Sequence, residues 1–521
     1  MSACPNNIIN TNDTSLSFAE ESCPSALPEP ASLVNWYPLS VMSFGDMGFE
    51  LKTVDVQTIN PSNKKQKSLV VGGEAKAGFT AQFKSNEIMH RLLQGFMRSD
   101  FREKSTTKSL NTAQIKSTDV SDSKYTFSNL LNGFSAGSMI LASGFSNASN
   151  NGVKDVVSGG NGALSVTVSQ TLEDETPPES AKIEVCGYTF PESEVDITTS
   201  GFLVRLTFAT TSPKDFATQF KMIPGEWIFL GGNDPLSRFS KNTGYARVGV
   251  ITDTYIQFDK ITWPAPIAES GAGKSISIFF GHVLVDESDP TLIKNKTYQF
   301  ERALGNDSQG QQGYYLTGLV ADELSLSMAM QDTVQIEMSF LGEGQTTYNG
   351  SVGPKIGLRP KNIESSSEPL NTSSDVIFMG LSKNDINRSY LTPYATYAEQ
   401  LTVELKNSAQ MNGAIGVLGS IATSKGLFEV SGSANMYFKE VQVYEDAKKS
   451  ISASLHTIFY KSNSGFIFDI PELTVTPKEQ AEISKGVMLD SEFSASESKN
   501  NSTLLYQHFT YLPDIAANPN G

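Results

Sequence analysis

The sequence predicts a mainly β protein: a β-sandwich or barrel with a short flanking helix, present as a duplicated unit, with small β modules inserted into it. Apolar and polar residues alternate over many short segments, the two-residue period of half-buried strands. Gly, Asn and Ser cluster between those segments, as turns require. Only 18% of the 521 residues are charged, against about 25% in typical soluble domains.

The first predicted unit begins with a strand, a long loop, a second strand and a short helix. Extended segments run from 35 to 58, a basic polar loop from 60 to 71, and an alternating strand from 72 to 83. Segment 86–97 has apolar residues three and four positions apart, which predicts an amphipathic helix. Asn86 is a favourable N-cap for it.

A segment near the C-terminus repeats this order. Strands are predicted at 401–406 and 427–438 around a loop rich in Gly, Ala and Ser. A helix at 441–449 and strands at 451–460, 466–475 and 486–493 follow. The first unit reaches its matching strands only at 297–304 and 316–341. Such self-similarity predicts two copies of one unit, the first interrupted after its helix.

Five segments follow from this pattern. We expect a polar N-terminal arm at 1–32, a discontinuous first unit at 33–100 plus 290–345, inserted β modules at 101–289, a linker at 346–390 and a second unit at 391–521. Within the insertion, strand pairs flank Asn-Gly-type turns near 151 and 243. This turn type is the strongest short-range signal of a β-hairpin.

The chain is acidic, with 40 Lys and Arg against 56 Asp and Glu and a formal net charge of −16. This balance argues against nucleic-acid binding through a basic face, which needs clustered Lys and Arg. No apolar run reaches the roughly 18 residues of a membrane-spanning helix. The N-terminus lacks the basic and apolar regions of a Sec signal peptide, so we expect synthesis in a cytoplasm.

Signals of catalysis or cofactor binding are weak. The four histidines, at 90, 282, 456 and 508, have no second His or Cys at ligand spacing, and the three cysteines form no disulfide or metal pattern. Segment 268–275, AESGAGKS, loosely matches a phosphate-binding loop, which must be followed by a helix. The next segment alternates as a strand, so we predict a Gly-rich turn. We expect neither an enzyme nor a cofactor.

Several segments, in their order along the chain, resemble the tail tube proteins (major tail proteins) of long-tailed, siphovirus-like bacteriophages. They are LVVGGEAKAGFTAQF, GFSNASNNGV, PGEWIFLGG with NTGYARVGVIT, GAGKSISIFFG with KTYQFERAL, YYLTGLVADELSLSMAMQDTVQIEMSFLGEG, and LTVELKNSAQMNGAIGVLGSIATSKGLFEVSGSANMYF. Each segment alone is weakly specific, whereas their order together is fairly specific. The resemblance spans roughly residues 34–512.

This resemblance implies a structural virion protein, made in the cytoplasm of the host bacterium, whose inner strands join into one lumenal barrel. It implies rings that stack into the hollow tube through which genomic DNA is delivered to the host. Family rings carry six copies of the unit, so a duplicated chain would form trimeric, pseudo-sixfold rings, with hexamers as the alternative. The implied partners are further copies, the tape measure protein, and the tail terminator and tail-tip proteins. Double-stranded DNA passes without being held, and no membrane is involved.

The resemblance also implies roles for particular residues. An acidic lumen would repel phosphates, and its candidates on predicted strands are Asp332 and Glu337 (324–340), Glu404 (401–406) and Glu429 (427–438). Candidate inter-ring contacts are Lys64, Lys65 and Lys67 in the first long loop and Gly413, Gly416 and Gly419 in the second. Solvated strand faces and ordinary loop solubility explain the same residues without such roles.

Three other interpretations remain open from the sequence, the third of them within the same class of protein. An extracellular β-rich adhesive or carbohydrate-binding tail module fits the aromatic content but fits the helix-bearing units poorly. A β-sandwich hydrolase with dispersed carboxylates would lack any visible catalytic motif. The tube of a phage-tail-like bacteriocin is indistinguishable from a phage tail tube at this level.

Overall fold

The computed structural model describes residues 14–56, 67–108, 115–160, 162–209, 214–263, 266–307, 310–359, 368–385, 388–395, 397–437, 441–480 and 487–518. The elements before the insertion are strands β1–β4 and helix α1: β1 Ser15–Glu20, β2 Tyr37–Leu39, β3 Ser43–Val54, β4 Leu69–Gln82 and α1 Glu87–Met97. Asn86 caps α1 as predicted, accepting a hydrogen bond from the Met89 N–H (2.9 Å).

The insertion contains β5–β18 and one short helix: β5 Thr106–Lys108, β6 Ile115–Asp119, β7 Lys124–Leu131, β8 Ser138–Ser143, β9 Gly152–Ser158, β10 Ala163–Val168, β11 Lys182–Thr189, β12 Val195–Ser200, β13 Leu203–Phe208, α2 Phe216–Gln219, β14 Trp227–Leu230, β15 Gly244–Ile251, β16 Tyr255–Ile261, β17 Glu269–Ser270 and β18 Ser277–Phe279. These strands form one sheet system with its own apolar core. The GAGKS segment is a turn between β17 and β18, as predicted, and no helix follows it.

The elements after the insertion complete both units: β19 His282–Val285, β20 Tyr298–Asp307, β21 Gly310–Ala329, β22 Gln335–Gly342, β23 Gly344–Tyr348, β24 Val376–Lys383, β25 Pro393–Ala395, β26 Ala398–Lys406, β27 Gln410–Gly413, β28 Ser420–Ser424, β29 Glu429–Tyr437, α3 Gln442–Lys448, β30 Ala453–Lys461, β31 Ser464–Gln480, β32 Met488–Ala495 and β33 Leu505–Phe509.

A wide antiparallel sheet of eight strands, which we call the wall sheet, organises the molecule. Its order is β3–β4–β22–β21–β26–β29–β32–β31, with β21 and β31 taking part through their C-terminal halves. The sheet thus consists of two sets of four strands, β3–β4–β22–β21 and β26–β29–β32–β31, joined where β21 pairs with β26. Each set has the same strand order and the same position of its helix along the chain.

The long strands β21 and β31 bend from the wall sheet into a second layer. The N-terminal half of β21 pairs with β20 and β23, and that of β31 pairs with β30 and β33. One apolar core lies between the layers, and α1 and α3 pack against it. Alternation explains the arrangement, because every second residue of a strand faces the same side of its sheet.

Three expectations about segments need revision. Part of the expected arm at 1–32 is a strand, since β1 pairs with β2 and β20 and buries Leu16 and Phe18. The expected linker at 346–390 contains β24, which pairs with β25 and β30. The continuous strand expected at 324–340 is a hairpin, because residues 330–334 form a turn between β21 and β22.

The insertion packs on the second layer, away from the wall sheet. Leu455 and Phe459 of β30 face the central core, whereas Ile458 on the opposite face joins a cluster with Trp227 and Phe279 of the insertion. The layers therefore follow the order wall sheet, core, second layer, insertion.

Candidate functional site

The outward face of the wall sheet is polar from one edge to the other. One cross-strand row, read through the paired residues, is Thr80, Glu337, Ser325, Glu404, Ser431, Ser494 and Thr474. The residues between these positions point into the core and are apolar, as Met338, Leu324 and Val403 illustrate. The polar row and the buried rows arise from the same two-residue alternation.

Two of the predicted carboxylates lie in one row on this face. Glu337 and Glu404 flank Ser325 from either side, so they lie two strands apart, about 10 Å at ordinary strand spacing. Glu429 lies on the same face, opposite Lys406 in the neighbouring row. Glu337, Glu404 and Glu429 form no ion pair with any residue that the structure describes.

Asp332 does not lie on a strand of this face. It occupies the exposed β21–β22 turn, where its carboxylate accepts hydrogen bonds from the Thr333 N–H (2.7 Å) and from Gln335 Nε2 (3.2 Å). The structure therefore assigns Asp332 a turn-capping position at the margin of the sheet, which corrects the predicted strand position.

Four lysines on the outward face are each paired with a carboxylate. Lys76 lies 2.9 Å from Glu50, Lys406 lies 3.5 Å from Glu323, Lys478 lies 2.8 Å from Glu492, and Lys52 contacts Glu74. Such exposed pairs contribute little to stability. Their effect is to cancel the positive charges, so the face carries a negative excess from Glu337, Glu404 and Glu429.

The second long loop lies at one end of the wall sheet, together with the described ends of β3 and β4, and we call this the hairpin end. The second loop forms the β27–β28 hairpin. Its tip contacts the β3–β4 ribbon, since a Cβ added at Gly72 would lie 3.8 Å from the Leu418 carbonyl oxygen. Both elements expose apolar side chains that the core does not cover: Leu51, Val54, Leu69, Val70, Val71, Ile415, Val417, Leu418 and Ile421. Lys67 is exposed beside β4, whereas Lys64 and Lys65 lie outside the described residues.

The three glycines of the second loop lie in different structural environments. Gly416 has a φ of +91°, the left-handed region that favours glycine, at the hairpin tip. At Gly419 an added Cβ would lie 2.2 Å from the Glu343 carbonyl oxygen, so this glycine permits close packing. Gly413 has open space around it. Close packing was not part of the sequence-based interpretation, which named all three only as candidate inter-ring contacts.

The opposite end of the wall sheet, the turn end, has an open groove. A cavity of about 560 Å³ lies between the β21–β22 turn, β24, β26 and β29. Met330 and Tyr397 are exposed at its rim, and the Tyr437 hydroxyl donates a hydrogen bond to Glu399 (3.1 Å). Apolar surface is therefore available at both ends of the same sheet.

A buried ionic cluster fixes the insertion to the second layer. Asp469 of β31 accepts hydrogen bonds from Trp227 Nε1 (2.7 Å) and Arg247 Nη1 (3.1 Å) and lies 2.7 Å from His456 Nδ1. Burial alone would raise the pKa of Asp469, but Arg247 and His456 outweigh it and hold the pKa at about 2. No sequence signal revealed this cluster, because its members are up to 242 positions apart.

Three histidines that are far apart in the sequence border one cavity. His90, His282 and His508 line a space of about 410 Å³ together with Glu184. His282 Nε2 lies 3.0 Å from Glu184, and His90 Nε2 lies 2.9 Å from the Tyr506 hydroxyl. Within the described ranges, no three His, Cys, Asp or Glu side chains are arranged to hold a metal ion. In the same ranges, no helix is long and apolar enough to cross a membrane.

Within the described residues, the wall sheet has one buried face, one polar face and an open strand at each edge, and such open edges can pair with another chain. Over residues 11–495 the sequence matches the family model of the phage tail tube protein, and the chain belongs to this family. The predicted family and the predicted mainly β fold are thereby confirmed. A comparison with curated proteins finds no match. Family membership makes this a structural virion protein that self-assembles into the tail tube.

Proposed function

We propose that three copies of this chain close their wall sheets into a ring, and that stacked rings form the tube through which the genome passes. The observation that carries the proposal is the wall sheet itself: two strand sets of the same order, a polar face with excess carboxylates, and an open strand at each edge. Joining β31 of one copy to β3 of the next would remove these edges, as closed barrels do.

Barrel dimensions support three copies. Eight strands from each of three chains give 24 strands, whose circumference at about 4.8 Å per strand is about 115 Å, or about 37 Å across between backbones before tilt. Side chains on both walls reduce this width but leave room for a DNA duplex. Two copies would span only about 24 Å by the same calculation. Six copies would make a far wider lumen, so the hexamer is the less economical alternative.

The polar face supports a lumen that DNA crosses without binding. Each chain would contribute the Glu337–Ser325–Glu404 row to the inner surface, with Glu429 in the next row and Asp332 at the margin. Negative charge on a concave wall repels phosphates over about one Debye length, roughly 8 Å at physiological ionic strength. The insertion, which lies on the far side of the second layer, would then decorate the outside of the tube.

The two ends of the wall sheet support stacking. Apolar side chains at the hairpin end, such as Ile415 and Leu418, match the open groove at the turn end of another copy, where Met330 and Tyr397 are exposed. A head-to-tail contact of this kind does not close and generates a filament. Lys67, with Lys64 and Lys65, would lie near Glu399 of the groove. The Gly413–Gly419 loop would form part of this contact.

The same proposal includes the partners that a tube needs. These are the tape measure protein inside it and the terminator and tail-tip proteins at its ends, with synthesis in the host cytoplasm before assembly. Membership of a structural family favours a role without catalysis.

Electron microscopy of the purified, concentrated protein tests the proposal. We expect hollow tubes whose end views, after rotational averaging, show three outer lobes around a nearly sixfold lumen, because each chain has one insertion and two strand sets. Six equal outer lobes would keep the tube but overturn the trimer. Solid, unbranched fibres would overturn the tube and favour the adhesive tail module.

A further inference from the structure

The two open edges of the wall sheet are the surface from which a specific contact can be derived. We infer that the β31 edge pairs antiparallel with the β3 edge of a second copy, with Thr476 opposite Glu50 and Lys478 opposite Gly48. This inference rests on the proposed ring and adds to it the strand register. In the described residues β3 pairs with β4 alone, and the C-terminal half of β31 pairs with β32 alone.

The chain contains a template for this contact. Within one molecule, β21 of the first strand set pairs with β26 of the second over seven residue pairs, from Glu323–Lys406 to Ala329–Gln400. The junction places Leu324 opposite Leu405 in the core and Ser325 opposite Glu404 on the outward face. The equivalent of β21 in the second set is β31, and the equivalent of β26 in the first set is β3.

The helices fix which residues are equivalent. β4 ends at Gln82 and α1 begins five positions later, at Glu87; β29 ends at Tyr437 and α3 begins five positions later, at Gln442. Gln82 therefore corresponds to Tyr437, and Thr80 to Asn435.

Cross-strand pairs carry this equivalence to both edges. In the first set Thr80 pairs with Glu337, which pairs with Ser325. In the second set Asn435 pairs with Asp490, which pairs with Lys478. Lys478 therefore corresponds to Ser325. The next row makes Thr476 equivalent to Glu323 by the same path.

On the other edge, the equivalence starts from the partners of β3 and β26. Lys76 pairs with Gly48 as Ser431 pairs with Glu404, and Glu74 pairs with Glu50 as Glu429 pairs with Lys406. The internal pairs Ser325–Glu404 and Glu323–Lys406 then become Lys478–Gly48 and Thr476–Glu50 between copies.

Side-chain chemistry at the two edges is complementary in this register. Lys478 on one edge would lie diagonally between Asp46 and Glu50 of the other, within the reach of a long side chain. On the core side, Pro477 would cover Phe49, which is half-buried in the single chain. Proline is tolerated at sheet edges and limits pairing with unrelated strands, so Pro477 fits an edge reserved for one partner.

Disulfide trapping tests the register. The variant combines Glu50→Cys and Thr476→Cys with Cys4→Ser and Cys23→Ser, and Cys186 is buried. Directly paired strand residues lie about 4.5–5.5 Å apart between Cα atoms, within disulfide range. Within one chain the two positions are separated by seven strand spacings, about 34 Å, so any bond must join two copies. We expect a covalent ladder that ends at three chains.

Matched pairs shift the register by two residues. Thr476→Cys with Lys52→Cys, and Thr476→Cys with Gly48→Cys, should form disulfides at least ten-fold more slowly than the Glu50 pair, because diagonal neighbours lie beyond disulfide geometry. Faster bonding in either shifted pair would overturn the register while tubes in the same sample leave the proposed function standing. Folded variants that form neither tubes nor disulfides would overturn both.

The unmodified protein provides an independent measurement. Zero-length carbodiimide coupling joins a lysine to a carboxylate that it touches, and mass spectrometry identifies the peptides. We expect Lys478 coupled to Asp46 or Glu50 in tubes and not in dilute monomer. Tubes in which Lys478 couples only to Glu492 of its own chain would contradict the inferred edge contact.

Discussion

At the scale of single residues, the half-buried His508 should make stability depend on pH. Burial lowers the pKa of His508 to about 3, and the nearby His282 and Lys182 act in the same direction while Glu184 opposes them. In the unfolded chain this histidine takes up a proton near pH 6.5. The folded state is then penalised progressively as the pH falls from about 6.5 towards 3.

The variant His508→Gln should remove this penalty. We expect the wild-type melting temperature to fall more steeply than that of the variant between pH 7 and pH 4.5, measured on dilute, unassembled protein. A histidine that takes up a proton only in the unfolded chain lowers the free energy of unfolding by about 1.4 kcal/mol per pH unit below its unfolded pKa. We expect a smaller difference between wild type and variant, because the imidazole ring of His508 borders a cavity. The two proteins compared at pH 7.5 give the baseline. If the melting temperatures of the two proteins fell in parallel throughout this pH range, the lowered pKa of His508 would be contradicted.

At the scale of elements, Gly419 positions the β27–β28 hairpin against the first strand set. Its Cα lies where a Cβ would meet the Glu343 carbonyl oxygen at 2.2 Å, and the Ser420 N–H donates to the same oxygen (3.3 Å). Gly419→Ala should displace the hairpin and lower the yield of sedimentable tubes several-fold. Gly413→Ala is the matched control, since it adds the same methyl group where space is open. Equal tube yields from both variants would show that hairpin position is unimportant.

The elements also explain which predictions the sequence could support. Helix α1 was predictable because its apolar spacing and its Asn86 cap are local. Strand β1 was not, since it pairs with β20, which lies about 280 positions further along the chain. The β21–β22 turn was hidden because Met328, Val334 and Ile336 all face the core, so the even-numbered apolar alternation continues through the turn without a shift.

Only part of the candidate surface could be predicted from the sequence. Alternation placed Glu337, Glu404 and Glu429 outward on their strands, but only the strand order brings Glu337 and Glu404 to either side of Ser325. Asp490 and Glu492 belong to the same face through β32, whose position beside β29 no local signal encodes.

At the scale of the whole molecule, the layer order separates two acidic surfaces that a net charge of −16 alone does not distinguish. Glu337 and Glu404 lie on the wall sheet, which would face the lumen. Glu179 and Glu192 lie exposed on the insertion, beyond the second layer. Reversing two charges on either surface changes the net charge of the chain equally. Only the inner change should alter the passage of DNA.

The double variant Glu337→Lys and Glu404→Lys should convert the lumen from repelling to retaining DNA. Each ring of three would gain six lysines facing phosphates, a contact that weakens steeply with salt. We expect short duplexes to co-sediment with these tubes at about 50 mM salt and to dissociate at about 200 mM. The control, Glu179→Lys with Glu192→Lys, should retain far less because its lysines lie on a convex outer surface. Equal retention by both variants would show that the wall-sheet face does not line the lumen.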